Sequence, residues 1–526
     1  MTGPGIEIWP GYREIPEYTN LCWEAIDRQI NAGLGGKVAF VYEGGKISYS
    51  ELLQGVSAFS RGLIELGLAP GDRILIRLRN SLEYVFAYLG SIRAGIQPVL
   101  QNSLLSAAEV QYVIEHSGAV AAVSSNDVAG PLRDLRSKLP KGLIVSNGAW
   151  PDEIGLEQFI ADNIGPTTSP ANTKAEDPAF IVYTSGTTGR PKGIVHAHRW
   201  IIAQGDMNKL RIPPERDDVV LATGEWSFIS ALGHNLCFAL RNGITGAILS
   251  ERPSSETILG AIEKFKVTLL YSVATVYRRI LAIKDVEKNY LLSTLRGCNA
   301  TGEALEAATY NEWINRFGCP IWEHYGVSEL QLVFGQNPHW PIKPGSVGKP
   351  LEGTSVEVLD EDYQTVPVGE IGHLLIDASN PGFFLGYHND PEKTAEVVHD
   401  GWYHTGDLAK KDEDGYIWIV GRSDDCFKSR GIFISPIEIE DAIRQHEGIA
   451  EVCVVPVKDP DIGNKIRAVI VLRDGIAGST RLVSDIRRSL ERCLASYKHP
   501  HTLEFVDQLP KSPVGKVLRR KLTLSQ

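Results

Sequence analysis

Short apolar runs alternate with longer segments of helical hydrophobic spacing over roughly residues 20–425. Three of these runs are residues 73–77 (RILIR), 120–123 (VAAV) and 268–271 (TLLY). Alternation of this kind is typical of α/β layers in which helices join parallel strands. We therefore predict a large α/β region built from layered subdomains.

The pattern changes to short strands and turns between roughly residues 345 and 422, as in 355–359 (SVEVL) and 415–420 (GYIWIV). A small β-rich subdomain is predicted there. Beyond it, Ser435, Pro436 and Glu438 have the order of an N-cap, a first helical residue and a capping-box acid, which predicts a helix start.

Two strands near 451–457 and 465–472 and one amphipathic helix follow. The apolar residues of that helix recur at helical spacing: Leu482, Ile486, Leu490 and Cys493 or Leu494. We predict a compact α+β domain of about a hundred residues that closes the chain. The expected division is an N-terminal domain over 1–421 and a C-terminal domain over 422–526.

The composition is that of an ordinary globular protein, with 526 residues, 43% hydrophobic and 22% charged. The net charge of −11 gives no general attraction for nucleic acid or an anionic membrane, so we expect neither as a partner. The seven cysteines show no CxxC pair, which favours free thiols in a reducing compartment. No signal peptide and no apolar run of ~18 residues is visible, so a cytoplasmic location is expected.

The densest cluster of candidate chemistry is residues 184–193 (TSGTTGRPKG), directly after the apolar run 180–183 (FIVY). Glycines let backbone N–H groups approach an anion closely, hydroxyls add neutral donors, and Arg190 and Lys192 add charge. The Walker loop differs, because its Gly-Lys-Ser/Thr opens a helix. We predict a polyphosphate-binding loop that comprises Thr184, Ser185, Gly186, Thr187, Thr188, Gly189 and Lys192.

This loop resembles the signature loop of the adenylate-forming superfamily, which contains acyl-CoA synthetases, adenylation domains and luciferases. Four further blocks extend the resemblance in the same order: 325–329 (YGVSE), 405–407 (TGD), 421–422 (GR) and 513–519 (PVGKVLR). The resemblance implies the adenylate-forming fold, in which a mobile α+β C-terminal domain acts as a lid on the large α/β domain. It also implies an ATP-dependent ligase that converts a carboxylic acid to acyl-AMP with pyrophosphate release and then transfers the acyl group to CoA.

The resemblance assigns the nucleotide contacts residue by residue. Glu329 would hold Mg²⁺, which accepts one or two carboxylates together with phosphate oxygens, and Asp407 and Arg422 would hold the ribose. Ser328 stands where the family usually has Thr and keeps the hydroxyl for the α-phosphate. The remaining nucleotide positions are Gly302, Glu303 and Ala304 beside the adenine, and His324, Tyr325, Gly326 and Ile419.

Lys516 matches the catalytic lysine of the family, and Glu329 and Thr184 complete the implied catalytic set. The lysine would bridge the acid carboxylate and the α-phosphate of ATP. Rotation of the lid about Asp424 would then withdraw it and present a channel for CoA, formed by Lys428, Ser429, Arg430 and Gly431. The basic run after the lysine, Arg519, Arg520 and Lys521, is interpreted as a solvated face.

The acid site is placed by residues 226–234 (WSFISALGH), which stand where the family has the start of its acid-binding helix. Ile229 replaces the aspartate of amino-acid-activating members, so an α-amino acid would bury an unpaired cation at a cost of several kcal/mol. Residues 271–277 and 300–305 resemble the benzoate-CoA ligase branch, although Gln331 replaces an expected histidine. The acid would be aromatic, alicyclic or a short to medium acyl chain, and its predicted contacts are Trp226, Phe228, Ser230, Ala231, His234, Gly302, Val327 and Gln331.

CoA is the expected acceptor because the chain ends soon after Lys516, which leaves no room for a fused carrier domain. Two alternatives stay open: a stand-alone adenylation enzyme that loads a carrier protein, and a non-catalytic nucleotide-binding regulator. Retention of Glu329, Asp407 and Lys516 speaks against the regulator. A monomer and a homodimer are both compatible with the sequence.

Replacing the lysine tests its assigned role. We expect Lys516→Ala to lower acyl-AMP formation by ~10²–10³-fold, because a preorganised cation is lost from the transition state. Pyrophosphate release measures this step. Acyl-AMP supplied to the variant should still be converted to the CoA thioester, and loss of both reactions would contradict the assignment.

Overall fold

The computed structural model describes residues 15–184, 191–250, 253–351, 354–429, 432–459, 462–511 and 517–524. The chain forms two compact units, one made of Met1–Ser355 with Asp377–Tyr403 and one made of Val356–Ile376 with His404–Gln526. The predicted domain division at residue 421/422 stays a prediction.

The first unit contains a sheet of eight strands whose central members are parallel. Its edge strands are antiparallel to their neighbours. In spatial order the strands are Phe334–Gly335, Ile321–Tyr325, Gly297–Ala300, Leu269–Ser272, Val219–Ala222, Thr245–Ala247, Val38–Tyr42 and Gly45–Ser48.

A second sheet of eight strands lies in the same unit. Its members from Pro178–Thr184 to Ile154–Gly155 are parallel, and two antiparallel strands extend it at the other edge. The order is Gly386–Tyr387, Lys192–Ala197, Pro178–Thr184, Gln97–Leu100, Arg73–Arg77, Ala121–Ser125, Leu143–Ser146 and Ile154–Gly155. A short hairpin pairs Val398–His399 with Trp402 and Tyr403.

Side-chain alternation along the strands explains the layers. Ile74 and Ile76 of the second sheet share one buried cluster with Val220 and Leu269 of the first, whereas Leu75 belongs to a different cluster on the opposite face. Leu221 and Leu270 likewise face a third cluster. Each sheet therefore has two covered faces, as parallel sheets require.

Helices cover these faces, and several begin at the capping residues that the sequence supplies. Ser48 and Ser106 each form a capping box with the glutamate three positions on. The α-helices of the first unit are Tyr49–Glu65, Leu82–Arg93, Ala107–Ser117, Gly130–Asp134, Leu156–Asp162, Trp200–Arg211, Ile229–Ala231, Phe238–Arg241, Ser255–Phe265, Ala274–Leu281, Val286–Asn289, Ala307–Phe317 and Pro391–Val397. Wider π-type turns occur at Trp23–Asp27, Ile30–Leu34 and Leu232–Cys237, and a 3₁₀ turn at Arg136–Lys138.

The described residues of the second unit form small sheets, in which all pairs but one are antiparallel, and three α-helices. Val356–Leu359, Gly372–Asp377, Trp402–Lys411 and Ile417–Arg422 pair in that order, and Phe427–Ser429 pairs with Ile432–Ile434. A third sheet contains Ile449–Asp459, Gly463–Leu472 and Thr502–Phe505. The helices are Pro436–Arg444, Thr480–Cys493 and Arg519–Leu524, with a 3₁₀ turn at Ser496–Lys498.

The predicted fold class is confirmed: layered α/β sheets, a small β-rich part and a separate α+β C-terminal part. The predicted helix start is also confirmed, because the Ser435 hydroxyl accepts a hydrogen bond from the Glu438 amide at 3.4 Å. Ile486 and Leu490 of the predicted amphipathic helix are buried. All seven cysteines are free thiols. In the part of the chain that the structure describes, no helix is both long and apolar enough to cross a bilayer.

Candidate active site

The predicted phosphate loop joins two antiparallel neighbours in the second sheet. Thr184 is the last residue of Pro178–Thr184, Lys192 is the first of Lys192–Ala197, and the two are partners in the register. Residues 185–190 lie outside the described residues. The chain therefore returns as a strand and does not open a helix, as expected for a loop that is not of the Walker type.

Lys192 contacts a buried carboxylate, Glu329. The Lys192 Nζ lies 2.8 Å from the Glu329 Oε1 and 2.7 Å from the Tyr387 hydroxyl oxygen. The Tyr387 hydroxyl donates to the same Oε1 at 2.6 Å. The ammonium also lies 4.4 Å from the centre of the Tyr387 ring, a cation–π contact. One carboxylate oxygen is thus held by an ammonium and a phenol.

Glu329 is ionised in this environment. Burial raises its pKa, but the Lys192 charge and the hydrogen bonds from Lys192 and Tyr387 bring it below the ordinary value of 4.5. Burial and the Glu329 charge raise the pKa of Tyr387 and of Tyr403, so both phenols stay protonated. A single ionised carboxylate to which phosphate oxygens can be added fits the donor set that Mg²⁺ takes.

Three contacts fix the segment that carries Glu329. The Phe384 amide donates to the Glu329 carbonyl at 2.8 Å, and the Trp200 indole N–H donates to the Leu330 carbonyl at 3.0 Å. The His196 Nε2 lies 3.1 Å from the Ser328 carbonyl and must donate, because a carbonyl only accepts. Burial lowers the pKa of His196 to about 3, so this donor is a neutral imidazole.

The residues assigned to adenine lie after neighbouring parallel strands. Gly302, Glu303 and Ala304 are exposed and follow Gly297–Ala300, with Gly302 at φ +82°. Tyr325 ends Ile321–Tyr325 and stacks on Phe334 with ring centres 5.2 Å apart. Ligands of open α/β sheets bind outside the carboxyl ends of the strands, where these residues lie.

Three residues of the predicted acid site are in contact. The His234 Nδ1 lies 2.7 Å from the Ser230 carbonyl oxygen and 3.1 Å from the side-chain nitrogen of Gln331. Gln331 has φ +96°, an unusual conformation for a residue with a Cβ. A Cβ on Gly233 would lie 2.3 Å from the Gln331 amide carbon, so Gly233 is what allows Gln331 to lie on this helix.

The other predicted acid contacts differ in exposure. Trp226 is fully buried in the core, where its ring is edge-on to Tyr84 and its indole N–H donates to Asn235 at 3.0 Å. Ala231 is also buried, whereas Phe228 and Val327 are half-buried. The roles assigned to these residues in acid binding stay predictions.

In the second unit, Asp407 and Arg422 are cross-strand partners. The Arg422 Nη1 lies 3.4 Å from the Asp407 Oδ1 and donates to the Thr405 carbonyl at 2.6 Å. Ile419 lies on the same strand as Arg422 and is half-buried. The structure thus brings the two residues assigned to the ribose together.

The predicted hinge residue, Asp424, lies near two cations, with the Arg422 Nε at 3.5 Å and the Arg520 Nη2 at 3.7 Å. Ser429 of the predicted CoA channel donates its hydroxyl to the Asn464 carbonyl at 2.6 Å. Arg430, Gly431 and the side chain of Lys428 lie outside the described residues.

Lys516 lies outside the described residues, but both ends of its loop are described. Lys511 and Val517 form an isolated antiparallel bridge, and the Leu518 amide donates to the Pro510 carbonyl at 2.8 Å. The residues that flank 512–516 are therefore hydrogen-bonded to each other.

Arg519, which follows Leu518, is anchored in the second unit. It donates to the Val454 carbonyl at 2.7 Å and to the buried Glu440 carboxylate. Burial disfavours its charge, but Glu440 outweighs this and raises the pKa of Arg519. The interpretation of 519–521 as a solvated face was wrong for Arg519, whose side chain is 21% exposed, while Arg520 is 67% exposed.

Sequence reasoning missed the partners of Glu329 and Ser328. Tyr387 is 58 positions from Glu329 in the chain, so no local spacing could reveal the contact. His196 offered a weak signal, because it is a polar residue within the apolar alternation of Lys192–Ala197.

Removing the Lys192 ammonium tests whether this cation keeps the buried Glu329 carboxylate ionised. We expect Lys192→Met to lower the free energy of unfolding by roughly 1–3 kcal/mol at pH 7, because a buried carboxylate loses its cation. Without Lys192, burial holds the pKa of Glu329 above its ordinary value, so the folded variant binds a proton more readily than the unfolded chain does. The wild type behaves oppositely, since its folded pKa is depressed. The difference in the free energy of unfolding between the wild type and Lys192→Met should therefore become smaller as the pH falls from 7 to 5.

Denaturant unfolding at several pH values measures this difference. The matched control is Lys138→Met, which breaks the exposed ion pair with Glu115 and should change stability by less than about 0.5 kcal/mol. A Lys192→Met difference that is independent of pH would show that the ionisation of Glu329 does not depend on Lys192.

Comparison with known proteins identifies the family of most of the chain. The family model for the AMP-binding enzyme matches residues 26–388, and that for the AMP-binding enzyme C-terminal domain matches residues 438–516. The chain is 34% identical to the benzoate–CoA ligase of Thauera aromatica over 520 residues, which cover 97% of this chain and 96% of the relative.

Solved structures of CoA ligases are also similar to this chain over nearly its whole length. An anthranilate CoA ligase in complex with anthranoyl-AMP superposes with a TM-score of 0.91 at 30% identity, covering 97% of this chain and 98% of that one. A benzoate CoA ligase from Burkholderia xenovorans superposes with a TM-score of 0.85 at 29% identity, covering 96% and 100%. The phosphate loop, the buried carboxylate and the C-terminal lysine motif thus occur in a chain that belongs to the AMP-binding enzyme family, in its benzoate-CoA ligase-like branch.

Proposed function

We propose that the protein is an ATP-dependent acid:CoA ligase that acts in two steps. A carboxylate oxygen of the acid attacks the α-phosphorus of ATP, and the bond to pyrophosphate breaks to give acyl-AMP. The sulfur of CoA then attacks the acyl carbonyl, AMP leaves, and the thiol proton is released. The observation that carries this proposal is the buried Glu329 carboxylate held by Lys192 beside the phosphate loop.

The first step brings two anions together, so its main demand on the protein is electrostatic. Glu329 would hold Mg²⁺, which when bound supplies positive charge to the phosphates. Lys192 and Arg190 would supply further cations to the leaving pyrophosphate. Thr184 and Ser328 would add hydroxyl donors, and the His196 contact to the Ser328 carbonyl supports the position of that residue.

Residues of the second unit would serve the ribose and the lid. Asp407 and Arg422 would bind the ribose diol, and Lys516 would bridge the two reacting anions. The lid would begin near residue 422 and turn at Asp424, and residues 428–431 would then contact CoA. The resemblance supports these roles, together with the paired positions of Asp407 and Arg422.

The acid would be compact and without an α-ammonium group. Ile229 is apolar and 6% exposed, so no carboxylate is present at that position to pair with an ammonium. The compared relatives are named as benzoate and anthranilate CoA ligases, which favours aromatic acids. A cytoplasmic location is part of the proposal, since the free cysteines fit a reducing compartment.

A pyrophosphate-release screen over aromatic, alicyclic and C2–C12 acids, with and without CoA, tests the function. We expect release with aromatic acids and stoichiometric formation of the CoA thioester. Acyl-AMP that forms but passes only to a carrier protein would show a carrier-loading enzyme instead. Nucleotide binding without release from any acid would favour the regulator.

The anchored Arg519 allows a test of how the catalytic lysine is positioned. We expect Arg519→Ala to lower acyl-AMP formation by about 10-fold or more, because the segment after Lys516 loses its buried ion pair with Glu440. Conversion of supplied acyl-AMP to thioester should change much less. The control is Arg481→Ala, whose side chain is 93% exposed and should affect neither step. Equal losses in both steps would indicate a general loss of structure.

A further inference from the structure

Six polar side chains gather on one face of the first sheet near the carboxyl ends of its strands. Alternation along the strands puts Tyr271, Asn299 and His324 on the same face, opposite to Leu270 and Cys298. The six residues are Arg211, His234, Tyr271, Asn299, His324 and Gln331, and all are at most 3% exposed. We call them the polar cluster.

The polar cluster is connected by close contacts. The His234 ring stacks on Tyr271 with centres 4.4 Å apart and lies 4.7 Å from the His324 ring. Gln331 contacts His234 at 3.1 Å, and Arg211 donates to Asn299. His234 and Gln331 are predicted acid contacts, so the cluster is continuous with the proposed acid site.

Each member of the polar cluster has a buried atom without a hydrogen-bond partner among the described residues. These atoms are the Arg211 Nη1, the His234 Nε2, the Tyr271 hydroxyl, the Asn299 Nδ2, the His324 Nδ1 and one atom of the Gln331 side-chain amide. A buried polar group without a partner is costly, and native proteins contain few. Six in one place indicate a site that receives a polar group from outside the chain.

Hydrogen-bond chemistry specifies which polar group fits. The His234 Nδ1 lies 2.7 Å from the Ser230 carbonyl oxygen and therefore carries the proton, so its neutral ring leaves the Nε2 as an acceptor. The Gln331 side-chain amide, whose contact with Nδ1 is 3.1 Å, must then face this N–H with its oxygen. Burial and the Arg211 charge lower the pKa of His234 to about 3, which keeps the ring neutral at pH 7. The incoming group must donate a proton to the Nε2.

Arg211 imposes the opposite requirement. Its Nη1 is a donor, and no acidic side chain of the described residues lies within ion-pairing distance of it. A group that contacts both residues must therefore also accept a hydrogen bond. An ammonium cannot accept and is repelled by Arg211. A neutral aromatic amine donates to the Nε2 but accepts poorly, because its lone pair is delocalised into the ring, and a carboxylate cannot donate to the Nε2. A hydroxyl both donates and accepts. The Tyr271 hydroxyl can likewise donate to the incoming hydroxyl or accept from it.

We propose that the polar cluster binds a hydroxyl group carried by the acid, so that the preferred substrate is a hydroxylated acid. The proposal rests on the proposed function, because it specifies the substrate of the same site. The acid carboxylate would point to the nucleotide, and its hydroxyl would lie against His234 and Tyr271. Water, which donates and accepts in the same way, would take this position with an unsubstituted acid.

Matched substrate pairs test the proposal. We would measure kcat/KM by pyrophosphate release for benzoate, its three monohydroxy derivatives, the three aminobenzoates and the three benzenedicarboxylates. At least one hydroxybenzoate should exceed benzoate by roughly 10-fold or more, since a site built to hydrogen-bond a hydroxyl discriminates against its absence. A preference for benzoate, an aminobenzoate or a dicarboxylate would overturn the proposal while leaving the ligase function intact. No release with any acid would overturn both.

Two tyrosine-to-phenylalanine substitutions test whether the preference for a hydroxylated acid arises in the polar cluster. Tyr271→Phe removes only a hydroxyl of the polar cluster, and we expect the kcat/KM ratio of the preferred hydroxybenzoate to benzoate to fall by about 10-fold. The control is Tyr277→Phe, because the Tyr277 hydroxyl donates to the Asn299 carbonyl at 2.6 Å and its ring belongs to the cluster on the opposite face. The ratio should stay unchanged there. An unchanged ratio in Tyr271→Phe would show that the cluster holds only structural water.

Discussion

The buried carboxylate of Glu329 is the constraint on which the nucleotide side of this protein depends. A charge with 4% exposure needs a partner, and the partner is Lys192, the first residue of the strand that follows the phosphate loop. The ion pair thereby fixes the end of the loop to the segment 328–330. That segment is held in turn from Trp200, His196 and Phe384. The ionisation of Glu329 and the position of the strand that begins at Lys192 thus depend on the same ion pair.

The two units contribute different kinds of residue to the proposed reaction. The first unit carries the two strands that flank the predicted phosphate loop, the candidate metal ligand Glu329 and the residues proposed for acid binding. The second carries Asp407 and Arg422, which are proposed to bind the ribose, and the bridge between Lys511 and Val517 on either side of the segment that contains Lys516.

Local patterns predicted the parts of the molecule that depend on local chemistry. The strand before Thr184 and the cap at Ser435 follow from side-chain alternation and from hydrogen-bonding geometry within a few residues. The hydrogen-bond partners of buried polar groups could not be predicted from such local patterns. The Arg211–Asn299 contact spans 88 positions, and residue spacing carries no information about such pairs. Arg519 was misjudged for the same reason, because its burial depends on Glu440, 79 positions away.

Gly233 determines where the Gln331 side chain can lie. Its missing Cβ provides the space in which the Gln331 amide lies. A single methyl group introduced there would displace that amide and change the hydrogen bonding around His234, without altering any residue of the nucleotide site. Under the proposed function, a substitution at this one position would change which acids are accepted and leave the adenylation chemistry as it is, so specificity can evolve here by a single residue.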